Sequence, residues 1–300
     1  FITLNRFDSG IIDIFDIEGS IIPQIAKLTN FNDMILVANK TDLLPKSVKE
    51  GKLKHHLRKI AADHNLKPLE IVLMSAKKNK NLDETMNIIS EYADNRNIYI
   101  VGATNVGKST FVNALLKAYA GTKQDVITVS SNAGTTLDLI QIPFGDQLII
   151  DTPGIINDNQ LTHYIGPKTL KVITPKKEIK PKGFQLDSEQ TLFVGGLARI
   201  DYVRGLKASF ICYFSEFLNV HRTKLENADH LYETSLGNVL APPFTEEERL
   251  TLRAHTFKIN RANKMDIVLP GLGFITYKGI GTIKVHTPEH IIPYVREALI

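Results

Sequence analysis

Four short polar segments, each directly after an apolar run, constrain the fold of this chain more than any other feature. In chain order they are Asn39-Lys40-Thr41-Asp42, Ser75-Ala76-Lys77, the glycine-rich segment 102–109 and Asp151-Thr152-Pro153-Gly154. Short apolar runs bounded by turn signals are typical of buried strands. Ligands of open α/β sheets bind at the carboxyl ends of the strands, so the sequence predicts that all four segments meet at one edge of a sheet.

The segment 102–109 reads Gly-Ala-Thr-Asn-Val-Gly-Lys-Ser and matches the phosphate-loop pattern G-x-x-x-x-G-K-S. Residues 97–101 precede it as an apolar strand, and residues 110–116 follow with the apolar spacing of a helix. Strand, glycine loop and helix are the context that this pattern requires. The segment is therefore predicted to bind the phosphates of a nucleotide.

The residue types of this loop suit that chemistry. Gly102 and Gly107 let the backbone approach phosphate closely, and the helix N-terminus supplies free N–H groups and a partial positive charge. Lys108 is predicted to reach the β- and γ-phosphates, and the Ser109 hydroxyl to bind Mg²⁺. The other positions predicted to contact the nucleotide are Thr104, Asn105, Val106 and Thr110.

The motif Asp151-Thr152-Pro153-Gly154 ends an apolar strand about 45 residues after the phosphate loop. Asp151 is predicted to hold Mg²⁺ through water, and the Gly154 N–H to contact the γ-phosphate. At this distance from a phosphate loop, D-x-x-G indicates the γ-phosphate side of the same site.

A threonine pair lies between these two motifs, in Gly134-Thr135-Thr136. A threonine hydroxyl here is predicted to join the Mg²⁺ shell when GTP is bound, and Thr136 is favoured over Thr135. The alternative is that these are simply β-branched residues that open a strand.

The motif Asn39-Lys40-Thr41-Asp42 supplies a carboxylate that suits the base of the nucleotide. Guanine presents two donors, N1–H and the 2-amino group, and one carboxylate accepts both, so Asp42 is predicted to select guanine. Adenine lacks this donor pair and would leave the carboxylate unpaired. Asn39 is predicted to bond N7 and tie its loop to the phosphate loop, and the Lys40 stem to lie over the base.

The second motif, Ser75-Ala76-Lys77, follows the apolar strand 71–74. The Ala76 N–H is predicted to bond guanine O6, with Ser75 and Lys77 on either side. The complete site is therefore predicted to bind GTP or GDP together with Mg²⁺.

The order of the motifs is unusual, because an ordinary GTPase presents its phosphate loop first and its guanine motifs last. Residues 1–160 are therefore predicted to form an α/β P-loop GTPase domain in circularly permuted order, G4-G5-G1-G2-G3. Here G4 and G5 are the two guanine motifs, G1 is the phosphate loop, G2 is the threonine segment and G3 is D-T-P-G. The helix-to-strand link Asp94-Asn95-Arg96 is the place where the termini of an unpermuted GTPase would be joined, which is tolerable because termini often lie close together.

Two residues bear on catalysis. Ile155 occupies the position after D-T-P-G where many GTPases carry a glutamine that orients the attacking water, so intrinsic hydrolysis is predicted to be slow. Asn105 is a candidate catalytic residue, because asparagine in a G-x-x-N-x-G-K-S loop resembles GTPases that bind K⁺ beside the phosphates. Such a cation would neutralise the developing charge.

Composition limits the class of protein. The 300 residues are 43% hydrophobic, enough for two globular domains. They contain no apolar run of 18 residues and begin with no secretory signal, so a cytoplasmic protein without a membrane partner is expected. The lone cysteine, Cys212, excludes a disulfide framework or a cysteine zinc site within these residues and is predicted to lie in the core.

Residues 161–300 are predicted to form a second, β-rich α+β domain. Its expected strands are 191–194, 208–217, 257–259, 271–277 and 282–286, the last two as neighbours around a turn, with a short helix over 246–255. Residues 1–156 carry 17 Lys and Arg against 17 Asp and Glu, whereas residues 157–300 carry 19 against 15.

The excess positive charge of the second domain is clustered. Two basic clusters stand out, namely the run Lys168, Lys171, Lys176, Lys177, Lys180 and Lys182, and the tetrapeptide His221-Arg222-Thr223-Lys224. Phosphate backbones attract such patches independently of sequence, so residues 161–300 are predicted to contact RNA, and no DNA partner is expected. The alternative is a solvated, lysine-rich loop.

Together the permuted motifs and several longer segments resemble the bacterial YqeH GTPases. The segments that carry the resemblance are 13–16, 102–110, 134–138, 151–157, 173–181, 196–202 and 221–226. The resemblance implies a circularly permuted GTPase that acts in assembly of the small ribosomal subunit. That family usually begins with a four-cysteine zinc finger, so Zn²⁺ is expected only in such a finger, ahead of Phe1.

The sequence thus predicts a molecular switch that hydrolyses GTP and binds the small (30S) ribosomal subunit or its rRNA through residues 161–300. The alternative is a nucleotide-gated RNA-binding module whose hydrolysis is incidental. A GTP-dependent metabolic ligase is disfavoured, because the sequence shows no second catalytic constellation.

Overall fold

The computed structural model of the protein describes residues 6–21, 23–29, 32–119, 127–130, 138–260 and 262–300. The chain divides into two compact units, Phe1–Asn157 and Asp158–Ile300. No helix within the described ranges is both long and apolar enough to cross a membrane.

The first unit is built on a sheet whose strands are mostly parallel. Its described residues contain seven strands, β1 (Arg6–Asp13), β2 (Met34–Asn39), β3 (Glu70–Leu73), β4 (Asn97–Gly102), β5 (Ile127–Ser130), β6 (Asp138–Phe144) and β7 (Gln147–Asp151). Their order across the sheet is β3-β2-β1-β4-β7-β6-β5. Strands β3, β2, β1, β4 and β7 run parallel, whereas β6 is antiparallel to both of its neighbours. The carboxyl ends of the parallel strands therefore share one edge.

Helices connect the parallel strands. The helices in the described residues of this unit are α1 (Ile17–Ser20), α2 (Pro23–Thr29), α3 (Glu50–Asp63), α4 (Leu82–Ala93) and α5 (Lys108–Tyr119). Helix α3 buries Leu53, Leu57 and Ile60, which lie three or four residues apart and so share one face. The α/β architecture predicted for this part of the chain is confirmed.

Strand β1 begins at Arg6, five residues before the apolar residues Ile11 and Ile12. The polar residues Asp8 and Ser9 are fully buried within it. It ends at Asp13, whose carboxylate accepts a hydrogen bond from the Phe15 N–H at 2.9 Å and turns the chain.

The second unit is β-rich, as predicted. Its described residues contain ten strands, β8 (Lys182–Leu186), β9 (Gln190–Val194), β10 (Ala198–Gly205), β11 (Ala208–Tyr213), β12 (Val220–Lys224), β13 (Leu252–Ile259), β14 (Met265–Leu269), β15 (Gly273–Lys278), β16 (Gly281–Pro288) and β17 (Tyr294–Glu297), with helices α6 (Pro167–Ile173) and α7 (Leu225–Ser235). They form two five-stranded sheets, β12-β9-β10-β16-β13 and β17-β14-β15-β11-β8.

Both sheets contribute to one core. Ile200 and Val285 of the first sheet and Phe210 and Ile275 of the second belong to the same buried cluster. Cys212 is buried there as well, and burial raises the pKa of its thiol to about 12. The prediction that this cysteine is a core residue is confirmed.

The helix predicted over residues 246–255 is wrong. A single 3₁₀ turn covers Glu246–Glu248, and the chain then enters β13, which pairs along its whole length with β16. Pairing with a neighbouring strand overrides the weak local helical tendency of this stretch, because β propensity depends on cross-strand partners.

The strands predicted at 271–277 and 282–286 exist as β15 and β16, but they are not paired with each other. Strand β15 lies between β11 and β14, whereas β16 lies between β10 and β13 in the other sheet. The short connection at 279–280 therefore crosses between sheets. Both strands alternate apolar residues toward the shared core, a pattern that does not specify the pairing partner.

Candidate nucleotide-binding site

Four adjacent strands bring the candidate site together. Asp13 closes β1, Asn39 closes β2, Gly102 closes β4 and Asp151 closes β7. These strands are parallel and lie in the order β2-β1-β4-β7, so the loops that follow them meet at one edge of the sheet.

The backbone of the glycine loop suits glycine at two positions and asparagine at a third. Gly107 has φ of 90°, and a Cβ atom at this position would lie 2.5 Å from Asn39 Nδ2. A Cβ at Gly102 would lie 2.7 Å from the Ile11 carbonyl oxygen. Asn105 also has a positive φ, 65°, which asparagine tolerates better than most residues. At both glycines the space that a Cβ atom would need is therefore already filled, by Asn39 and by the Ile11 backbone.

Asn39 joins the base-side and phosphate-side loops. Its side-chain NH₂ donates to the Val106 carbonyl oxygen at 3.1 Å. Its side-chain oxygen accepts from the Lys40 N–H at 2.8 Å and from the Ala76 N–H at 3.0 Å. The Ala76 N–H, predicted to bond guanine O6, thus donates to this side chain in the structure.

Asp42 presents an unsatisfied oxygen. Its Oδ1 accepts from the Ser75 hydroxyl at 2.7 Å, and the Ser75 oxygen in turn accepts from the Lys78 N–H at 3.2 Å. Its Oδ2 is buried and has no hydrogen-bond partner among the described residues. A buried acceptor without a donor is costly, and the paired donors of guanine would satisfy it. Lys77, predicted beside this contact, is exposed.

Lys40 is held by two groups at once. Its ammonium group lies 2.6 Å from Asp13 Oδ2 and 2.6 Å from the Asn105 carbonyl oxygen. Lys40 itself has φ of 67°, in the left-handed region. Sequence reasoning missed the role of Asp13, which entered only as part of the family resemblance. The available signal was a carboxylate at the end of a buried strand that closes beside the two nucleotide motifs.

The phosphate side brings Lys108 and Asp151 together. The Lys108 ammonium group lies 2.5 Å from Asp151 Oδ1 and also donates to the Thr152 carbonyl oxygen. Ser109 and Thr110 are exposed in the first turn of α5. A serine hydroxyl and a carboxylate on neighbouring elements are oxygen ligands of the kind Mg²⁺ prefers, so these residues fit that ion.

The segment after Asp151 is bonded to the glycine loop. The Ile155 N–H donates to the Gly102 carbonyl oxygen at 3.1 Å, and the Thr104 N–H donates to the Ile155 carbonyl oxygen at 2.9 Å. A Cβ on Gly154 would lie 3.3 Å from the Thr104 methyl group. The backbone of Gly154 therefore lies against the phosphate loop.

The predicted switch threonine Thr136 and its alternative Thr135 lie outside the described residues. The other predicted catalytic residues, Lys108, Asn105 and Gly154, lie in or against the glycine loop.

A parallel sheet with a glycine phosphate loop, a D-x-x-G strand and an N-K-T-D strand defines a P-loop GTPase domain. Comparison with protein-family models agrees with this class. The model described as 50S ribosome-binding GTPase matches residues 97–180, and the model described as YqeH-like, C-terminal matches residues 207–299.

Individual relatives identify the family. The uncharacterized protein YqeH of Bacillus subtilis (strain 168) is 46% identical over 294 residues, which cover 97% of this chain and 80% of the relative. The NO-associated protein 1, chloroplastic/mitochondrial, of Arabidopsis thaliana is 30% identical over 306 residues, covering 90% of this chain and 54% of the relative. The chain belongs to the YqeH family, so the resemblance seen in its motifs is confirmed, and it is a GTP-hydrolysing enzyme.

A more distant relative matches part of the chain. The small ribosomal subunit biogenesis GTPase RsgA of Malacoplasma penetrans (strain HF-2) is 34% identical over 127 residues, which cover 42% of this chain and 40% of the relative. The chain spans most of the Bacillus protein and about half of the Arabidopsis one.

Proposed function

We propose that this chain is a circularly permuted GTPase that uses GTP hydrolysis, with Mg²⁺, to time a step in cytoplasmic assembly of the small ribosomal subunit. The observation that carries the proposal is the contact of Asn39 with Val106 and Ala76. Through it the early base-side motifs and the later phosphate loop form one site.

The permuted order has two further supports. The GTPase family model begins to match at residue 97, where β4 begins, after both guanine motifs have passed. The proposed joint between α4 and β4 is a compact turn, in which the Arg96 guanidinium donates to the Ala93 and Tyr92 carbonyl oxygens at 2.8 and 2.9 Å. Such capping of the last helical carbonyls lets β4 follow α4 directly.

Nucleotide binding would follow from the geometry of the site. Asp42 would accept the two guanine donors, Lys40 would lie along the base, and the loop from Thr104 to Thr110 would surround the phosphates. Ser109 and Asp151 would hold Mg²⁺, which supplies charge neutralisation on the β- and γ-phosphates. Thr136 is proposed as the switch residue of the Mg²⁺ shell.

The ribosomal role rests on relatives and charge. One relative is named for biogenesis of the small ribosomal subunit, and one matching family model is named for binding to the 50S ribosome. The net positive charge of residues 157–300 suits a polyanionic partner such as rRNA. We assign the small subunit because that name belongs to a whole protein, whereas the 50S name belongs to a domain family.

Co-sedimentation tests this assignment. The protein is centrifuged with purified small or large subunits, with GDP or a non-hydrolysable GTP analogue, at two salt concentrations. The proposal predicts binding to the small subunit with the analogue and weaker binding with GDP. Binding to the large subunit alone would contradict it.

A second candidate function is a nucleotide-gated RNA-binding module whose hydrolysis is incidental. Ile155 favours it, because its aliphatic side chain cannot orient water where many GTPases place glutamine. The two candidates differ in turnover, since only the switch requires that subunits accelerate hydrolysis.

K⁺ is proposed as an additional ion of the catalytic site. Asn105 lies in the phosphate loop with its carbonyl oxygen bound to Lys40, which positions the backbone of this residue. A monovalent cation beside the phosphates would compensate for the missing glutamine by neutralising developing charge.

A further inference from the structure

A groove at one end of the second unit is lined by cations. Its volume is about 1020 Å³, and it lies between the β10–β11 turn, the end of β13 and the β15–β16 connection. Arg204, Lys207, Lys258 and Lys278 line it, and no described lining residue is acidic. All four side chains are exposed, and none forms an ion pair with a carboxylate in the described part of the chain.

The register of the strands explains this concentration of charge. Arg204 on β10 pairs with Thr282 on β16, and Thr282 pairs with Lys258 on β13. Residues paired directly across neighbouring strands project from the same face. The two cations therefore flank one threonine in a row across three strands, with no carboxylate between them.

Two exposed aliphatic side chains lie in the same groove. Leu206 is 88% exposed and Ile280 is 57% exposed, and both line it. Apolar side chains that are grouped on one surface and rimmed by polar residues are a feature of binding sites. A ligand that offers only phosphate groups would make no apolar contact with Leu206 or Ile280.

The groove is held in place by buried groups beneath it. The Tyr202 hydroxyl donates to the Leu206 carbonyl oxygen at 2.5 Å, which fixes the turn that carries Leu206 and Lys207. The Tyr277 hydroxyl donates to the Tyr202 hydroxyl at 3.4 Å. At Gly281 on β16 a Cβ atom would lie 2.5 Å from the Arg204 carbonyl oxygen on β10. The backbones of these two strands therefore lie too close together here for any residue larger than glycine. The groove is thus a rigid feature of the fold.

The basic clusters singled out in the sequence differ from this groove, because many of their side chains already have partners. Lys177 pairs with Glu216 at 3.7 Å and Lys224 pairs with Glu226 at 3.4 Å. The Lys168 ammonium group lies over the Phe244 ring, 3.9 Å from its centroid. These contacts compete with phosphate for the same cations.

We propose that this groove binds single-stranded RNA, with the four cations on the phosphate backbone and Leu206 and Ile280 against exposed bases or ribose. Duplex RNA hides its bases, and proteins recognise it mainly through backbone shape, which makes no use of the two aliphatic side chains. Proteins bind unpaired nucleotides with a positive groove along the backbone and side chains packed against the base faces, usually aromatic ones. Leu206 and Ile280 would supply the base contacts in this groove. The inference deepens the proposed function, on which the identity of the RNA as ribosomal rests.

The test uses the full chain and a fluorescent 12-nucleotide RNA of mixed sequence. Its affinity is measured by fluorescence anisotropy at several salt concentrations. The triple variant Lys207→Gln, Lys258→Gln, Lys278→Gln is compared with Lys171→Gln, Lys177→Gln, Lys180→Gln, which removes the same charge from the basic run. Circular dichroism of each variant reports folding.

The groove variant is expected to bind at least about tenfold more weakly. The plot of log affinity against log salt should also become less steep by about 2, since three contacts are lost and each single-strand phosphate contact contributes about 0.7. The basic-run variant is expected to lose less than threefold, roughly the effect of net charge alone. Equal losses in the two variants would overturn the inference.

A second variant tests the apolar part without removing charge. Leu206→Ser is expected to weaken binding severalfold with an unchanged salt slope, and its high exposure leaves folding unaffected. Duplex RNA binding as tightly as the single strand would overturn the single-strand assignment. Competition by polyglutamate as effective as that by RNA would assign the groove to an acidic protein.

Small-subunit co-sedimentation separates this inference from the proposed function. If the groove variant keeps the affinity of the unmodified protein for the oligonucleotide and also sediments with small subunits as that protein does, the groove inference fails and the ribosomal function stands. If the unmodified protein binds the oligonucleotide through the groove but never sediments with subunits, the ribosomal function fails and the groove stands.

Discussion

The Lys40 ammonium group lies 2.6 Å from Asp13 Oδ2, which joins the ends of two neighbouring parallel strands beneath the base side of the site. The same ammonium group donates to the Asn105 carbonyl oxygen, so one lysine connects the end of β1 to the phosphate loop. The long stem of Lys40 is thereby positioned before any base arrives. Preorganisation of this kind lowers the cost of ordering a side chain on binding.

Asp13→Asn is expected to weaken GDP binding about fivefold to tenfold, because Lys40 loses its charged partner while the site keeps its shape. This loss corresponds to about 1–1.4 kcal/mol, at or just above the upper end for a partly exposed ion pair. Titration with a fluorescent GDP derivative measures it. The matched control is Asp146→Asn in the exposed β6–β7 turn, and an equal loss in that variant would refute the role of Asp13.

Asp42→Asn is expected to exchange guanine for xanthine. The asparagine amide offers one acceptor and one donor, which match the N1–H and C2 carbonyl of xanthine but leave the 2-amino group of guanine unpaired. GDP affinity should fall by at least about 100-fold while XDP affinity rises, as expected when a site built for a hydrogen bond loses its partner. Competition binding with both nucleotides measures the exchange, and an unchanged preference for GDP would exclude Asp42 as the base-selecting residue.

Gly107→Ala is expected to abolish nucleotide binding and destabilise the first unit, because the new methyl would lie 2.5 Å from Asn39 Nδ2 at a φ of 90°. Gly145→Ala is a control with the same class of backbone strain, since its φ is 59° but nothing lies within 4 Å of the added Cβ. The control should cost only about 1 kcal/mol of stability and retain GDP binding. Thermal unfolding and GDP titration of both variants test this contrast, and similar behaviour would refute it.

GTP hydrolysis is expected to be faster in K⁺ than in Na⁺ buffer, and Asn105→Gly is expected to remove the difference. Glycine accepts the φ of 65° at this position, so the substitution deletes the side chain without adding strain. Steady-state phosphate release measures both rates. Equal rates for the unmodified protein in the two buffers would rule out the K⁺ proposal.

Sequence reasoning located the parts of the site whose chemistry is local. The loop 102–109, Asp151 and Asn39 all stand at strand ends that the apolar runs predict, and the structure gathers them at one edge. Parallel strands leave little freedom here, because every carboxyl end points the same way.

Relationships between distant residues were not predictable in the same way. The contact of Asp13 with Lys40 spans 27 residues and depends on the neighbouring positions of β1 and β2. Strands β15 and β16 are consecutive in the chain but lie in different sheets, and no local pattern distinguishes this from a hairpin. The basic groove was not predictable from the sequence, because Arg204, Lys258 and Lys278 are far apart in the chain and become neighbours only in the folded sheets.

The central claim is that the small subunit controls GTP turnover by this site. The most direct measurement is the rate of phosphate release against small-subunit concentration, with the unmodified protein on GTP and with Asp42→Asn on both GTP and XTP. The account predicts slow turnover alone, saturable acceleration by subunits, and loss of that acceleration in the variant on GTP but not on XTP. A rate that stays unchanged at saturating subunit concentration would contradict the switch and leave the nucleotide-gated binding module.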